Sequence, residues 1–198
     1  MAEQVNGYRK LLANQYDTYN HWRDFCLTHG INVDFSFGNQ CWDVPALLWY
    51  QYGLYFQTGN GYAWGAWAYM RDANAKYPFI KIEKLSEVKR GDCVVFYASG
   101  LNYTGHVAFA DGDYETDKYW DANINGYRLN CLGQNQGQGI ASGTPSNVRP
   151  LSMKTFMGAF RNTLWKSVDP TPPTPTGFEH KKEFPWVLYS QKFRTKRR

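Results

Sequence analysis

No C-x-x-C pair occurs among the four cysteines, Cys26, Cys41, Cys93 and Cys131. This excludes a zinc ribbon and a thioredoxin-type motif and leaves free thiols as the expectation. Long apolar runs are also missing. The best stretch, 44–56, is broken by Gln51 and Gly53 and is too short to cross a bilayer. Met1 to Lys10 carries Glu3 early and no apolar run behind a basic start, so no secretory signal is expected. A protein acting outside the cell that made it would then need another route of release. Charge of one sign is lacking over most of the chain. Residues 1–176 hold 15 basic and 15 acidic side chains, whereas 177–198 hold seven basic ones against Glu179 and Glu183. A neutral body argues against a nucleic-acid-binding face on the main domain, and only the tail suits a polyanion.

What is present is a chain of 198 residues, 43% hydrophobic and 20% charged, enough for one well-buried domain plus appendages. Aromatics reach 18%, with eight Trp, 15 Tyr and 12 Phe, flat amphipathic side chains of the kind that stack on sugars, peptides or bases, although most are expected in the core.

Along the chain, Val5, Tyr8, Leu11, Leu12, Tyr16, Tyr19 and Trp22 recur every three or four residues, which predicts an amphipathic helix over 3–29 ending at Gly30. A polar loop over 31–40 leads to a second helix beginning near Cys41, with Pro45 tolerated only in its first turn. A third helix is expected over 63–75. Strands are expected at 93–97, 105–110, 118–121, 127–132 and 155–162, giving an α+β arrangement of helices followed by an antiparallel sheet. After Trp165, the run Pro170-Thr-Pro-Pro-Thr-Pro-Thr176 reads as a stiff spacer. The expected division is 1–168 as the main domain, 169–176 as spacer and 177–198 as a basic aromatic tail.

A cysteine nucleophile needs its thiolate and a nearby base. A helix entrance supplies partial positive charge and free amides, and Cys41 stands at one. Of the four histidines, only His106 sits on a predicted strand after a glycine. Taken singly, each reads more readily as a buried thiol or a satisfied core imidazole, and it is their pairing in this order and fold that favours chemistry.

The strings Gly38-Asn39-Gln40-Cys41-Trp42-Asp43, Gly91-Asp92-Cys93-Val94-Val95-Phe96 and Gly105-His106-Val107-Ala108 resemble, in that order, the CHAP domain. This is the cysteine, histidine-dependent amidohydrolase/peptidase module of phage lysins and bacterial wall hydrolases. The resemblance covers about residues 25–165. It implies a papain-like α+β fold that cleaves amide bonds of peptidoglycan, as an N-acetylmuramoyl-L-alanine amidase or an endopeptidase, with Cys41 as nucleophile and His106 as base. The family's Glu-x-Asn element, which orients the imidazole, corresponds to Gly133-Gln134-Asn135, so Asn135 is the third site residue and Gly133 departs from the pattern. Asp121 and Asp111 are reserves for that role.

Before the nucleophile, Asn32, Asp34, Ser36, Gly38 and Asp43 alternate as in an EF-hand-like loop, and relatives of phage type are similar in placing calcium there. An ordinary Asx-turn with a helix cap accounts for the same residues. No organic cofactor is expected.

The expected function is therefore a phage peptidoglycan hydrolase, either an endolysin held in the host cytoplasm until release or a lysin of the virion tail. Bacterial peptidoglycan is the expected partner, with teichoic acid or a virion tail protein met by the tail. Trp49, Tyr62, Trp64 and Trp67 are candidates to line a groove. The alternatives are a non-catalytic wall-binding or virion structural protein of the same fold, and a related cysteine-histidine enzyme acting on host lipid or protein.

Overall fold

The structure is a computed structural model in which residues 2–55, 63, 79–99 and 103–166 are described. The expected third helix (Ala63 apart), the spacer and the tail lie outside the described residues, as do Tyr62, Trp64 and Trp67.

In chain order the elements are β1 (Glu3–Asn6), α1 (Tyr19–Thr28), β2 (His29–Asn32), α2 (Asp43–Gln51), β3 (Phe79–Ile82), β4 (Cys93–Phe96), β5 (His106–Ala110), α3 (Tyr114–Asp117), β6 (Tyr119–Asp121), β7 (Gly126–Gly133), β8 (Asn147–Ser152) and β9 (Phe156–Asn162). Strands β3 to β9 form one antiparallel sheet in the order β3-β9-β4-β5-β7-β6, with β8 also paired to β7. β1 and β2 form a separate parallel pair.

The central strands β4 and β5 are apolar at nearly every position because both faces of the sheet are covered. Cys93, Val95, Val107 and Phe109 turn to one face, against Trp22, Leu47, Trp49 and Ile31 from the helices and β2. Val94, Phe96, Ala108 and Ala110 turn to the other, against Val88, Tyr114, Leu129 and Met153.

The first helix is shorter than its periodicity predicts. It begins only at Tyr19, where the Thr18 hydroxyl accepts a hydrogen bond from the His21 N–H at 3.1 Å, and Tyr19, Trp22, Phe25 and Cys26 form its buried stripe. Upstream, Glu3–Asn6 pairs with His29–Asn32, and Gly7 follows in the left-handed region at φ +71°. The chain then runs along α2, where Gln51 takes the place of a helix ladder: its Oε1 accepts from Leu11 N–H (2.8 Å) and its Nε2 donates to Arg9 C=O (3.0 Å). Tertiary pairing thus satisfies the backbone groups that a helix would have satisfied internally. The 31–40 loop is also shortened, since its first two residues belong to β2.

The second helix begins two residues after Cys41, with Pro45 in its first turn as expected. It is buried on all sides, including Asp43, and Lys10 Nζ donates to the terminal carbonyls of Tyr50 (2.8 Å) and Gln51 (3.1 Å). The five expected strands are present with ends shifted by a residue or so, and β1, β2, β3 and β8 are additional.

Candidate active site

Two loops frame the N-terminal ends of α2 and β5. The first, 33–42, carries Asp34, Asn39, Gln40 and Cys41; the second, 134–146, follows β7. They are joined by Asn39, which is buried and whose Nδ2 donates to the carbonyls of Ala141 (3.1 Å) and Thr144 (2.9 Å). Gln134 completes the joint: its Oε1 accepts from Ile31 N–H (2.7 Å), and its Nε2 donates to the carbonyls of Ile31 (2.8 Å) and Gln40 (3.1 Å). The residue before Cys41 is therefore fixed to the end of β7.

Cys41 is buried, with its sulfur against the backbone N–H of Val107, the residue next to His106. Burial pushes its thiol up to about 11, opposed by the N–H groups of Val107, Trp42 and Cys41 itself, while Asp43 pushes it further up. Asp43 is held by two loop amides, Val33 N–H on Oδ1 (2.9 Å) and Gln40 N–H on Oδ2 (2.7 Å). Burial nevertheless raises its carboxyl to about 7. The nucleophile candidate is thus a neutral thiol that needs a base.

His106 opens β5, and its half-buried ring lines a cavity of ≈ 710 Å³ together with Tyr97, Tyr119, Arg128, Gln136 and Arg149. Burial lowers the imidazole from its ordinary value, partly offset by a hydrogen bond with Gln136. The two rings Phe96 and His106 lie 6.2 Å apart. The Cys41 sulfur thus meets the backbone of β5 one residue beyond His106, and the two side chains make no hydrogen bond with each other.

Asn135 has its side chain on the other loop, where Nδ2 donates to Gln40 Oε1 at 2.9 Å. The amide that meets the imidazole is Gln136, with 3.1 Å between His106 Nε2 and Gln136 Oε1. The only hint of this in the sequence is the run of amides 134–136 beside Gly133. The reserves are engaged elsewhere. Asp111 accepts from Tyr19 Oη (2.9 Å) and Arg23 Nε (2.8 Å), and Asp121 pairs with Arg128 (2.5 Å) while lining the cavity. Trp49 is a core residue.

Of the five loop residues considered for calcium, Asp34 Oδ1 closes an Asx-turn on Ser36 N–H (2.8 Å), and Asp43 is engaged as described. Asn32 Oδ1 is buried with no hydrogen-bond partner, an oxygen that a cation would satisfy. Phe35, Phe37 and Gly38 lie at positive φ, so Ser36 stands between two sharp bends. Among the described residues, no group of three His, Cys, Asp or Glu side chains converges as a metal site. A cation here would have to rely on carbonyl and amide oxygens beside two carboxylates.

No family model matches the chain. In sequence it is 29% identical, over 153 residues, to a D-alanyl-L-alanine endopeptidase of Streptococcus phage B30. That similarity takes in 76% of this chain but spans only 31% of the length of the relative. In structure it is similar to the crystal structure of a wild-type endolysin, LysIME-EF1, with a TM-score of 0.51 and 18% identity over 74% of this chain and 64% of that one. The mixed helix and antiparallel-sheet fold is thus one that an endolysin structure shares.

Proposed function

We propose that the chain is a phage-type peptidoglycan hydrolase, a CHAP-like cysteine amidohydrolase/peptidase of papain-like fold that cuts an amide bond of the wall peptide. The observation that carries this reading is the similarity to the phage endopeptidase, which extends over 153 residues of this chain. The name of that relative favours the D-alanyl-L-alanine link over the sugar–peptide amide.

In this reading His106 takes the proton of the Cys41 thiol, and the sulfur adds to the carbonyl carbon of the scissile amide. The tetrahedral oxyanion collapses as the C–N bond breaks, and the imidazolium gives its proton to the departing amine. A water then adds to the thioester with His106 again as base, releasing the carboxylic acid and returning the thiol. The amides at the α2 entrance are suited to hold the oxyanion. Since thiol and imidazole are not hydrogen-bonded at rest, substrate binding must bring the ring and the sulfur together.

Turbidity loss of isolated Gram-positive walls, followed by mass spectrometry of the released fragments, tests the proposal. New alanyl amino termini paired with new D-alanine carboxyl termini are expected. Alanyl amino termini on stem peptides freed from their sugar would instead place the cut at the sugar–peptide amide, and no release would overturn the enzyme reading. The deep burial of Cys41 and its raised thiol favour a second reading, a non-catalytic wall-binding or virion protein of the same fold. Wall binding without fragment release is its signature.

Calcium at Asn32, Asp34 and Asp43, with oxygens of Ser36 and Gly38, belongs to the same proposal. Its task would be to fix the loop before Cys41, and no step of the reaction runs through it. Release from the host cytoplasm or carriage on the virion tail, and recognition of teichoic acid or a tail protein by residues 177–198, are the corresponding proposals for setting and partners.

A further inference from the structure

We infer that Gln136 is the positioning residue of His106, and that Gly133 is glycine so that Gln136 can reach it. The inference rests on the hydrolase reading for its consequence but not for its geometry. Gln136 is buried, and every polar atom of its side chain is assigned. Its Nε2 donates to the carbonyls of Cys131 (2.9 Å) and Asn147 (2.7 Å), on the two paired strands β7 and β8. An amide nitrogen has two hydrogens, and both are used. The orientation of the amide is thereby fixed by its own partners, and the atom 3.1 Å from the imidazole is an oxygen.

An oxygen facing His106 Nε2 can only accept. The imidazole must therefore carry its proton on Nε2, which leaves the lone pair on Nδ1 as the base. The backbone of Gln136 is held too: its N–H donates to Gln138 Oε1 (3.0 Å) and its carbonyl accepts from Arg149 Nη1 (3.0 Å). Three residues upstream, a Cβ on Gly133 would lie 2.8 Å from Gln136 Oε1 and 3.2 Å from Ala108 Cβ. The amide oxygen thus occupies the space that any side chain at 133 would enter. A neutral amide orients the ring without the charge a carboxylate would add, and His106 keeps its lowered basicity.

The inference is tested first on the full, unaltered chain, by imidazole ¹⁵N shifts of histidine-labelled protein above the His106 titration. The Nε2–H form is expected, and an Nδ1–H form overturns the inference. Gln136→Leu should mix the two forms and lower wall lysis by about 10²- to 10⁴-fold, the usual worth of a correctly presented base. Because this variant also strips two carbonyls of their donor, the pair Gly133→Glu with Gln136→Ala is the companion. A carboxylate from 133 then enters the vacated space and should restore the Nε2–H form, whereas Gln136→Ala alone should not. Unchanged tautomer populations in both Gln136→Leu and Gln136→Ala overturn the inference. The tautomer is read without substrate, so a chain that shows the Nε2–H form yet lyses no wall would sink the hydrolase reading and leave this one standing.

Discussion

The two loops that frame the site solve the same problem with different chemistry. Loop 33–42, tied to its neighbour by Asn39, is held within itself by carboxylates: Asp34 and Asp43 accept from backbone N–H groups, and the latter is raised to about 7 by its burial. Loop 134–146 is held by amides: Gln134, Gln136 and Gln138 each donate to carbonyls and also accept. A carboxylate can only accept while ionised, so the first loop responds to pH. An amide does not titrate, so the second is indifferent to it. The loop that presents Cys41, the proposed nucleophile, is therefore the conditional one, and the loop that presents Gln136, the partner of the proposed base, is fixed.

The severest way to break this comparison is to remove the proposed reacting group that each loop holds in place, Cys41 of the first loop and His106 of β5, which meets Gln136 of the second. Cys41→Ala and His106→Ala should each lower wall lysis by about 10³-fold or more, and the double variant should be scarcely worse than either, because nucleophile and base act as a unit. Melting curves should stay near that of the parent. If Cys41→Ala lyses walls at the parental rate, the enzyme assignment is wrong.

Next in size is the joint between the loops. Asn39→Ala takes a side-chain donor from the carbonyls of Ala141 and Thr144 and removes one of the partners of Gln4, a loss of about 2–4 kcal/mol for buried polar groups. Gly30→Ala attacks the same place from below, since its Cβ would lie 2.5 Å from Asn39 Nδ2 and 2.9 Å from the Thr144 carbonyl oxygen. Urea unfolding of both variants is the check. Parental midpoints would mean that the loops stand independently.

The pH dependence sharpens the contrast. In the folded chain Asp43 titrates near 7, against an ordinary 3.8. Between those values the folded state holds a proton that the unfolded state has released. The stability linked to Asp43 is therefore full below about pH 4, lost as pH rises to about 7, and constant above. Asp17 and Asp121, lowered by their cationic partners, carry the opposite sign at more acid pH. The difference in unfolding free energy between parent and Asp43→Asn isolates the term: it should shrink or reverse from pH 4 to pH 7. A difference that is flat over this range would show that Asp43 is ionised throughout.

The strands and the α2 entrance were legible because their information is local. β4 and β5 are continuous apolar runs after glycine turns, and Pro45 admits only a first-turn position. Residues 3–17 misled because their three-to-four spacing was real but served two different neighbours, β2 and α2, rather than one helix face. The burial of Cys41 and the role of Gln136 were not legible for a related reason. A residue-type pattern marks Asn135 as the match, but only the β7–β8 pairing decides which of three successive amides faces the ring. The Gly133 departure was the visible trace of that choice.

The smallest expected effect concerns the conditional loop and its proposed ion. Asp34 is exposed, and its single contact closes a turn, so Asp34→Ala without calcium should cost at most about 1 kcal/mol. With calcium the comparison changes. An ion held at Asn32, Asp34 and Asp43 binds the folded state only, and at ten times its dissociation constant stabilises it by about 1.4 kcal/mol. It would also lower the Asp43 titration, because a cation favours the carboxylate, and so remove the loss of stability between pH 4 and 7. The parent should then melt higher in millimolar calcium than in chelator, with the gap wider at pH 7 than at pH 5, and Asp34→Ala should close it. Superimposable melting curves for the parent in calcium and chelator at both pH values would leave the loop an Asx-turn held by its own N–H groups, conditional on protons alone.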